Sequence, residues 1–322
     1  MASLPPERTF LSRPFTNTGL DFAGPFSIKS FAGRGSKITN GYVLVFVCFA
    51  TKAIHLEATS ELSTQAFLAA FSRFYSRRGT PQVLYSDNGA SFVGAANIYN
   101  KTQENFLSQV RKNILSQNSF QNIEWRLNPP GAPHMGGLWE AGVKSCKSHL
   151  KKISRAQHFT FEEFTTMLTR IEACLNSRPL SPMSDNPNEI SALTPGHFLI
   201  GAPLLSPPEP DYSSRSLSYA NRWKKLNVLH HHFACRWKEE YLKELHKRIK
   251  RKYPQRNFTV GDLVAIKKDH LPPNEWRLGR IQKVSPGQDN NVRVAEIITS
   301  TGPITRPIVK LVILPPNNNE SN

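Results

Sequence analysis

Residues 42–50, YVLVFVCFA, form an unbroken apolar run. A strand with one wet face alternates apolar and polar residues. An uninterrupted run rich in β-branched and aromatic side chains is a strand buried on both faces. A sheet containing such a strand needs cover on both sides, which directs the chain to the α/β classes. The flanking segments agree. Gly19–Phe26 (GLDFAGPF) and Ala53–Ala58 (AIHLEA) alternate as neighbouring strands, and residues 30–41 are a Gly/Ser-rich turn. Leu62–Arg78 has the apolar spacing of a helix and is stopped by Gly79 and Pro81. Gln82–Ser86 (QVLYS) is a short strand that ends at Asp87-Asn88-Gly89. A polar helix around Lys101–Gln117, a strand at Ile123–Leu127, a helix from about Gly137 to Ile153 and a helix over Phe161–Ser177 follow.

The order of elements is a three-strand meander, then alternating helices and strands. It predicts a mixed sheet with helices on its faces, in which the first and fourth strands lie side by side. That arrangement brings Asp21 next to Asp87.

The second half of the chain differs in character. Residues 178–214 are Pro-rich and irregular. Tyr219–Lys252 has a long helical pattern, and Arg215–Arg256 holds 13 Lys/Arg against 3 Glu. Residues 257–314 are short apolar strands separated by turn signals, a small β-barrel. The expected organisation is a core over 1–200, a Pro-rich connector with a basic helix over 201–255, a small β-barrel over 256–316 and a disordered tail over 317–322.

With 41 basic against 24 acidic residues the chain carries +17, an excess that nucleic acid neutralises best. No apolar run is long enough to cross a membrane, so a membrane is not an expected partner. The polar, Pro-rich start does not read as a secretory signal. Cys48, Cys146, Cys174 and Cys235 are scattered without a CxxC pair, which reads as buried reduced thiols in an intracellular protein.

Asp21 interrupts an otherwise apolar strand, and Asp87 sits where a buried strand meets a tight turn. Glu140 begins a row with Lys144, Lys147 and Lys151 on one helix face, while Trp139, Val143, Cys146, Leu150 and Ile153 form the opposite stripe. Three carboxylates converging from separate elements suit two Mg²⁺ ions, with Mn²⁺ as substitute, acting on a phosphodiester. The lysines beside them suit phosphates. Taken singly, each acid also has a structural reading: an Asp bonded at a strand end, an Asp-Asn-Gly turn, and a Glu favoured by a helix N-terminus.

At these residues the chain resembles the integrases of BEL/Pao long-terminal-repeat retrotransposons. The segments that carry the resemblance are TGLDFAGPF around Asp21, YSDNGASFVGA around Asp87, WRLNPPGAPHMGGLWEAGVKSCKSHL around Glu140, and Ser177–Leu204. The resemblance implies an RNase H-like core, a mixed five-stranded sheet with helices on both faces, followed by a helical connector and an SH3-like barrel. It implies a catalytic and metal-holding triad of Asp21, Asp87 and Glu140 that processes DNA 3′ ends and transfers them into target DNA. Water attacks in the first step and the DNA 3′-hydroxyl in the second. It further implies contacts of Lys144 and Lys147 with the DNA end, a flanking role for Asn88, a homo-oligomer, and action in the nucleus. The Asp87-to-Glu140 gap is longer than in retroviral enzymes, which the polar stretch 95–121 accounts for as an inserted helix. The family's zinc-binding domain has no counterpart in these residues.

Further DNA-contact candidates are Lys151, His134 in the loop before Glu140, and Arg277 and Arg280 near Trp276 in the barrel. His230, His231 and His232 cannot all face one ion on a helix and are expected on the basic surface. Trp125 and Trp139 are expected in the core, and His55 is expected to be structural. Two competing functions remain open: a captured, non-catalytic protein that grips DNA or chromatin, and a nuclease that cuts RNA–DNA hybrids on the same kind of sheet.

Overall fold

A computed structural model describes residues 12–87, 89–98, 100–101, 123–127, 147–152, 158–207, 210, 221–247, 256–267 and 271–316. The chain divides into two compact units, residues 1–172 and 173–322.

The first unit is built on a mixed sheet. Strands β1 (Asn17–Lys29), β2 (Ile38–Cys48) and β3 (Ile54–Thr59) form an antiparallel meander, and β4 (Val83–Ser86) and β5 (Glu124–Leu127) continue it in parallel. The order is β3-β2-β1-β4-β5, the RNase H-like order, so the first and fourth strands are neighbours as expected. A sixth short strand, β6 (Phe159–Thr160), extends the expected five by pairing with the far end of β1 through Ile28 and Phe159. β3 is buried throughout and β2 is buried at every position from Val43 to Cys48. Side chains that alternate across a sheet and are all buried require cover on both faces.

Helix α1 (Thr64–Arg78) starts where Ser63 Oγ accepts from the Ala66 amide, and ends at Gly79, whose amide donates to the Tyr75 carbonyl. Gly79 has φ +82°, a conformation that other L-residues adopt at a cost. The helix packs through Phe74, stacked on Phe46 with ring centroids 4.0 Å apart, and through Phe71. Helix α2 (Phe161–Asn176) packs Phe164 against Phe26 and Phe159. Its Glu172 enters a buried charge cluster. The Glu172 carboxylate accepts from the Leu56 amide at 2.9 Å and pairs with His55 and Arg78, while His55 Nε2 meets Glu57 at 2.9 Å. Arg73 and Arg77 complete the cluster on Glu57. His55 is therefore structural, as its place in an apolar alternation implied.

The second unit begins within the last turn of α2. A short pair, β7 (Ser181–Pro182) with β8 (Ala192–Leu193), leads to helix α3 (Pro195–Ile200). Helix α4 (Arg222–Lys247) follows. The expectation that its histidines lie on a basic surface is corrected: His230 and His231 are buried, within an unbroken buried stretch from Leu226 to His231. A stretch buried at every position is packed on more than one face of the helix. Lys238 is likewise buried, its ammonium donating to the Pro272 carbonyl.

Strands β9 (Leu263–Ile266), β10 (Leu278–Pro286), β11 (Val292–Thr299), β12 (Gly302–Pro307) and β13 (Leu311–Ile313) form an antiparallel sheet in the order β12-β11-β10-β9-β13. A 3₁₀ turn at Ile308–Lys310 precedes the last strand. This is the strand order of an SH3-like barrel. Its core is Val264, Ile266, Ile281, Ala295, Ile297 and Leu311. Gly279 is required here, because a Cβ would sit 2.8 Å from the Ile298 carbonyl oxygen. Among the described residues no helix is long and apolar enough to cross a membrane.

The expected helix at Lys101–Gln117, the loop at 129–137, most of the 137–153 helix and the tail lie outside the described residues. A helical stretch at 90–98, which the polar pattern did not reveal, begins directly after the Asp87 turn. Cys48 and Cys174 are buried free thiols, and Cys235 is a half-buried one.

Candidate active site

Asp21 lies in the middle of β1, opposite Val45 of β2. Asp87 follows the last residue of β4. The parallel register pairs Asn17 with Val83, Thr18 with Leu84 and Gly19 with Tyr85. Continued by two residues, it sets Asp21 level with Asp87. The nearness has an electrostatic signature. Burial raises the Asp21 pKa above the ordinary carboxylate value, the negative charge of Asp87 raises it further, and Lys147 opposes both.

Three contacts hold Asp87 in place. Its Oδ1 accepts from the Gly89 amide at 3.0 Å, closing the turn. The preceding Ser86 is fully buried, and its hydroxyl donates to the Asp87 carbonyl while accepting from Trp125 Nε1 at 3.0 Å. Beyond the turn, Phe92 stacks on Phe22 with centroids 5.2 Å apart and planes 11° from parallel. Phe22 is the chain neighbour of Asp21, so this stack fastens the segment after one carboxylate to the strand bearing the other. Ser86, Trp125 and Phe92 were not singled out for the site from the sequence. The alternation of QVLYS does place Ser86 inward, and it is the one signal that was legible.

Lys147 opens the described helical stretch 147–152, in which His149 and Leu150 are buried. Its ammonium donates to Asp21 Oδ2 at 2.7 Å, with side-chain exposures of 32% and 24%. Thus an interior member of the predicted Glu140–Lys144–Lys147–Lys151 row reaches the predicted catalytic strand. Lys151 is exposed. Glu140, Lys144, Asn88 and His134 lie outside the described residues.

The donor set suits a divalent cation in kind. Asp21 and Asp87 offer hard carboxylate oxygens, and Asp21 already draws a cation, the Lys147 ammonium. Among the described residues no group of three or more His, Cys, Asp or Glu side chains gathers to hold a metal.

The two barrel arginines differ. Arg277 is half-buried and reaches Thr301 Oγ1 at 3.2 Å. Arg280 is corrected as a DNA-contact candidate. It is 5% exposed, and its guanidinium donates to the carbonyls of Glu189, Gly261 and Ser184. Those bonds use its donors on backbone oxygens inside the second unit. Trp276 is also packed, donating to Ser177 Oγ at 3.1 Å and meeting Tyr241 edge-on.

A family model described as a "Family of unknown function (DUF5641)" matches residues 221–314, the span from α4 to β13. Among solved structures, the chain is similar to one from the simian T-cell lymphotropic virus intasome in complex with PP2A regulatory subunit B56 gamma. The identity is 14% and the TM-score 0.37, over 98% of this chain and 84% of that one. No curated protein matches.

Proposed function

We propose that this protein is a DNA integrase of the retrotransposon type, a polynucleotidyl transferase that processes 3′ ends of element DNA and joins them to target DNA. The observation that carries this is the pairing of the strand that bears Asp21 with the parallel strand that ends at Asp87, together with a lysine of the third motif bonded to Asp21. Each of these residues sits inside one of the sequence contexts that resemble BEL/Pao integrases.

In this mechanism Asp21 and Asp87, with Glu140 by motif position, would hold two Mg²⁺ or Mn²⁺ ions. Bound there, the ions would supply charge stabilisation to the attacking and leaving oxygens of an in-line displacement at phosphorus. The chain itself supplies no nucleophile. Ser86, Trp125 and Phe92 keep the two carboxylates level, which is a positioning role. Lys144, Lys147 and Lys151 hold backbone phosphates of the DNA end beside them, and Arg277 and the basic second unit hold more distant phosphates. Asn88 and His134 flank the reacting phosphate. The protein acts in the nucleus, on its target DNA, as a homo-oligomer.

The test is incubation of the full chain with a pre-cut DNA end, target DNA and Mg²⁺. Joined product that disappears on chelation is the expected result. DNA binding indifferent to chelator, with no nicked or joined product in Mg²⁺ or Mn²⁺, would leave a non-catalytic DNA- or chromatin-binding protein, which the charge of +17 supports.

A further inference from the structure

We infer that Lys147 is an exchange group that couples metal loading to DNA docking: its ammonium holds Asp21 while the site is empty, and moves to a DNA phosphate when the ion arrives. The inference rests on the metal-site reading above and concerns the regulation of that same site.

The starting observation is the 2.7 Å bond from Lys147 Nζ to Asp21 Oδ2. Asp21 is mostly enclosed, its side chain 24% exposed. Asp21 is half-buried while Asp87 is exposed, so Asp21 is the acid that a positive group nearby must neutralise inside the fold. Lys147 is that group. A divalent ion bound to Asp21 competes for the same oxygen and repels the ammonium through Coulomb interaction at short range. An ion and the ammonium that share this carboxylate each weaken the other's hold on it.

Lys147 is able to leave. Its side chain is one-third exposed, and it has a long flexible stem. The helical stretch that carries it is anchored by His149 and Leu150, so the ammonium can swing while the backbone stays. The chemistry that receives a displaced ammonium is an anion, and the substrate class of this site is a phosphodiester. Docking of DNA draws Lys147 from Asp21 and so tightens the ion; binding of the ion releases Lys147 and so tightens DNA. The coupling is reciprocal, as thermodynamic linkage requires. Its consequence is that the free protein holds its ions less tightly than the DNA-bound protein.

The experiment measures Mn²⁺ affinity by the spin-resonance signal of free Mn²⁺. The full chain is titrated alone and with a duplex whose 3′ end is a dideoxynucleotide, which cannot be joined. Lys147→Met removes the charge at similar volume, Lys147→Arg keeps it, and Asp21→Asn removes the acceptor. In the DNA-free protein Lys147→Met should bind Mn²⁺ about fivefold or more tightly than the parent, the loss of a partly buried competing charge. Lys147→Arg should bind like the parent, and the tightening caused by DNA should shrink in Lys147→Met alone. If Lys147→Met loses its far-UV spectrum, Lys147→Gln takes its place. Parental Mn²⁺ affinity in the uncharged variant, while Asp21→Asn loses the ion, overturns the exchange but leaves the metal site standing. Parental affinity in Asp21→Asn overturns the metal site and the exchange with it.

Discussion

Asp21 lies on β1 and Asp87 directly follows the neighbouring parallel strand β4, each two residues past the register pair of Gly19 and Tyr85. Residues 66 positions apart in the chain therefore share one electrostatic environment, in which the charge of Asp87 helps raise the Asp21 pKa. Carboxylates brought together in this way oppose folding and favour a cation, a relation common at functional sites.

The repulsion gives Asp87→Asn a measurable effect apart from chemistry. In metal-free buffer near neutral pH the variant should be more stable than the parent by about 0.5–1 kcal/mol, because Asp21 then ionises beside a neutral amide. A carboxyl whose folded pKa is raised stabilises the fold most in acid and loses that contribution as pH rises through the folded value. The gain from Asp87→Asn should therefore be largest at neutral pH and fade in acid, as thermal melts across pH would show.

The His55 cluster predicts the opposite behaviour for a buried pair. Glu172→Gln should cost about 3–5 kcal/mol in urea denaturation, since it leaves His55 and Arg78 without their buried partner. Burial pulls the His55 pKa down, but its bonds to Glu172 and Glu57 outweigh this and leave it above the usual 6.5. The His55 contribution is therefore full below pH 6.5 and is lost as pH rises through the folded value. Glu57 and Glu172 are likewise buried, yet their His and Arg partners hold both below the usual 4.5, so their contribution is lost only as pH falls beneath that. In Glu172→Gln the loss of stability between neutral and alkaline pH should flatten.

Arg277 and Arg280 should separate cleanly in the barrel. Arg280→Ala leaves the carbonyls of Glu189, Gly261 and Ser184 without their donor and should destabilise by about 2–4 kcal/mol. Arg277→Ala should melt within about 0.5 kcal/mol of the parent, bind DNA more weakly, and reduce the salt slope of binding by about 1. The melts and a salt titration of DNA affinity measure both.

Trp125→Phe removes the indole donor to Ser86 while keeping an aromatic ring. It should cost about 1 kcal/mol of stability and lower the joining rate with DNA affinity unchanged. Single-turnover joining at saturating DNA checks it.

The adjacency of Asp21 and Asp87 was legible in the chain because two local signals suffice for it. The apolar run at 42–50 demands a covered sheet, and the meander followed by alternation puts the first strand beside the fourth. What escaped depends on contacts between distant elements. The Phe22–Phe92 stack and the Trp125–Ser86 bond have no periodicity to announce them. His230 and His231 looked like surface because their neighbours in the chain are basic, whereas the packing of α4 on more than one side sets their burial. Arg277 and Arg280 lie three residues apart in one basic motif, yet only the second finds backbone carbonyls within reach.

The most direct measurement is strand transfer by the parent and by Asp87→Asn, side by side, in Mg²⁺ with a pre-cut DNA end, each verified as folded by its melt. Joined product from the parent and a loss of about a hundredfold or more in the variant, with DNA binding retained, is the predicted result. Equal joining by the two proteins would contradict the role given to this pair of carboxylates.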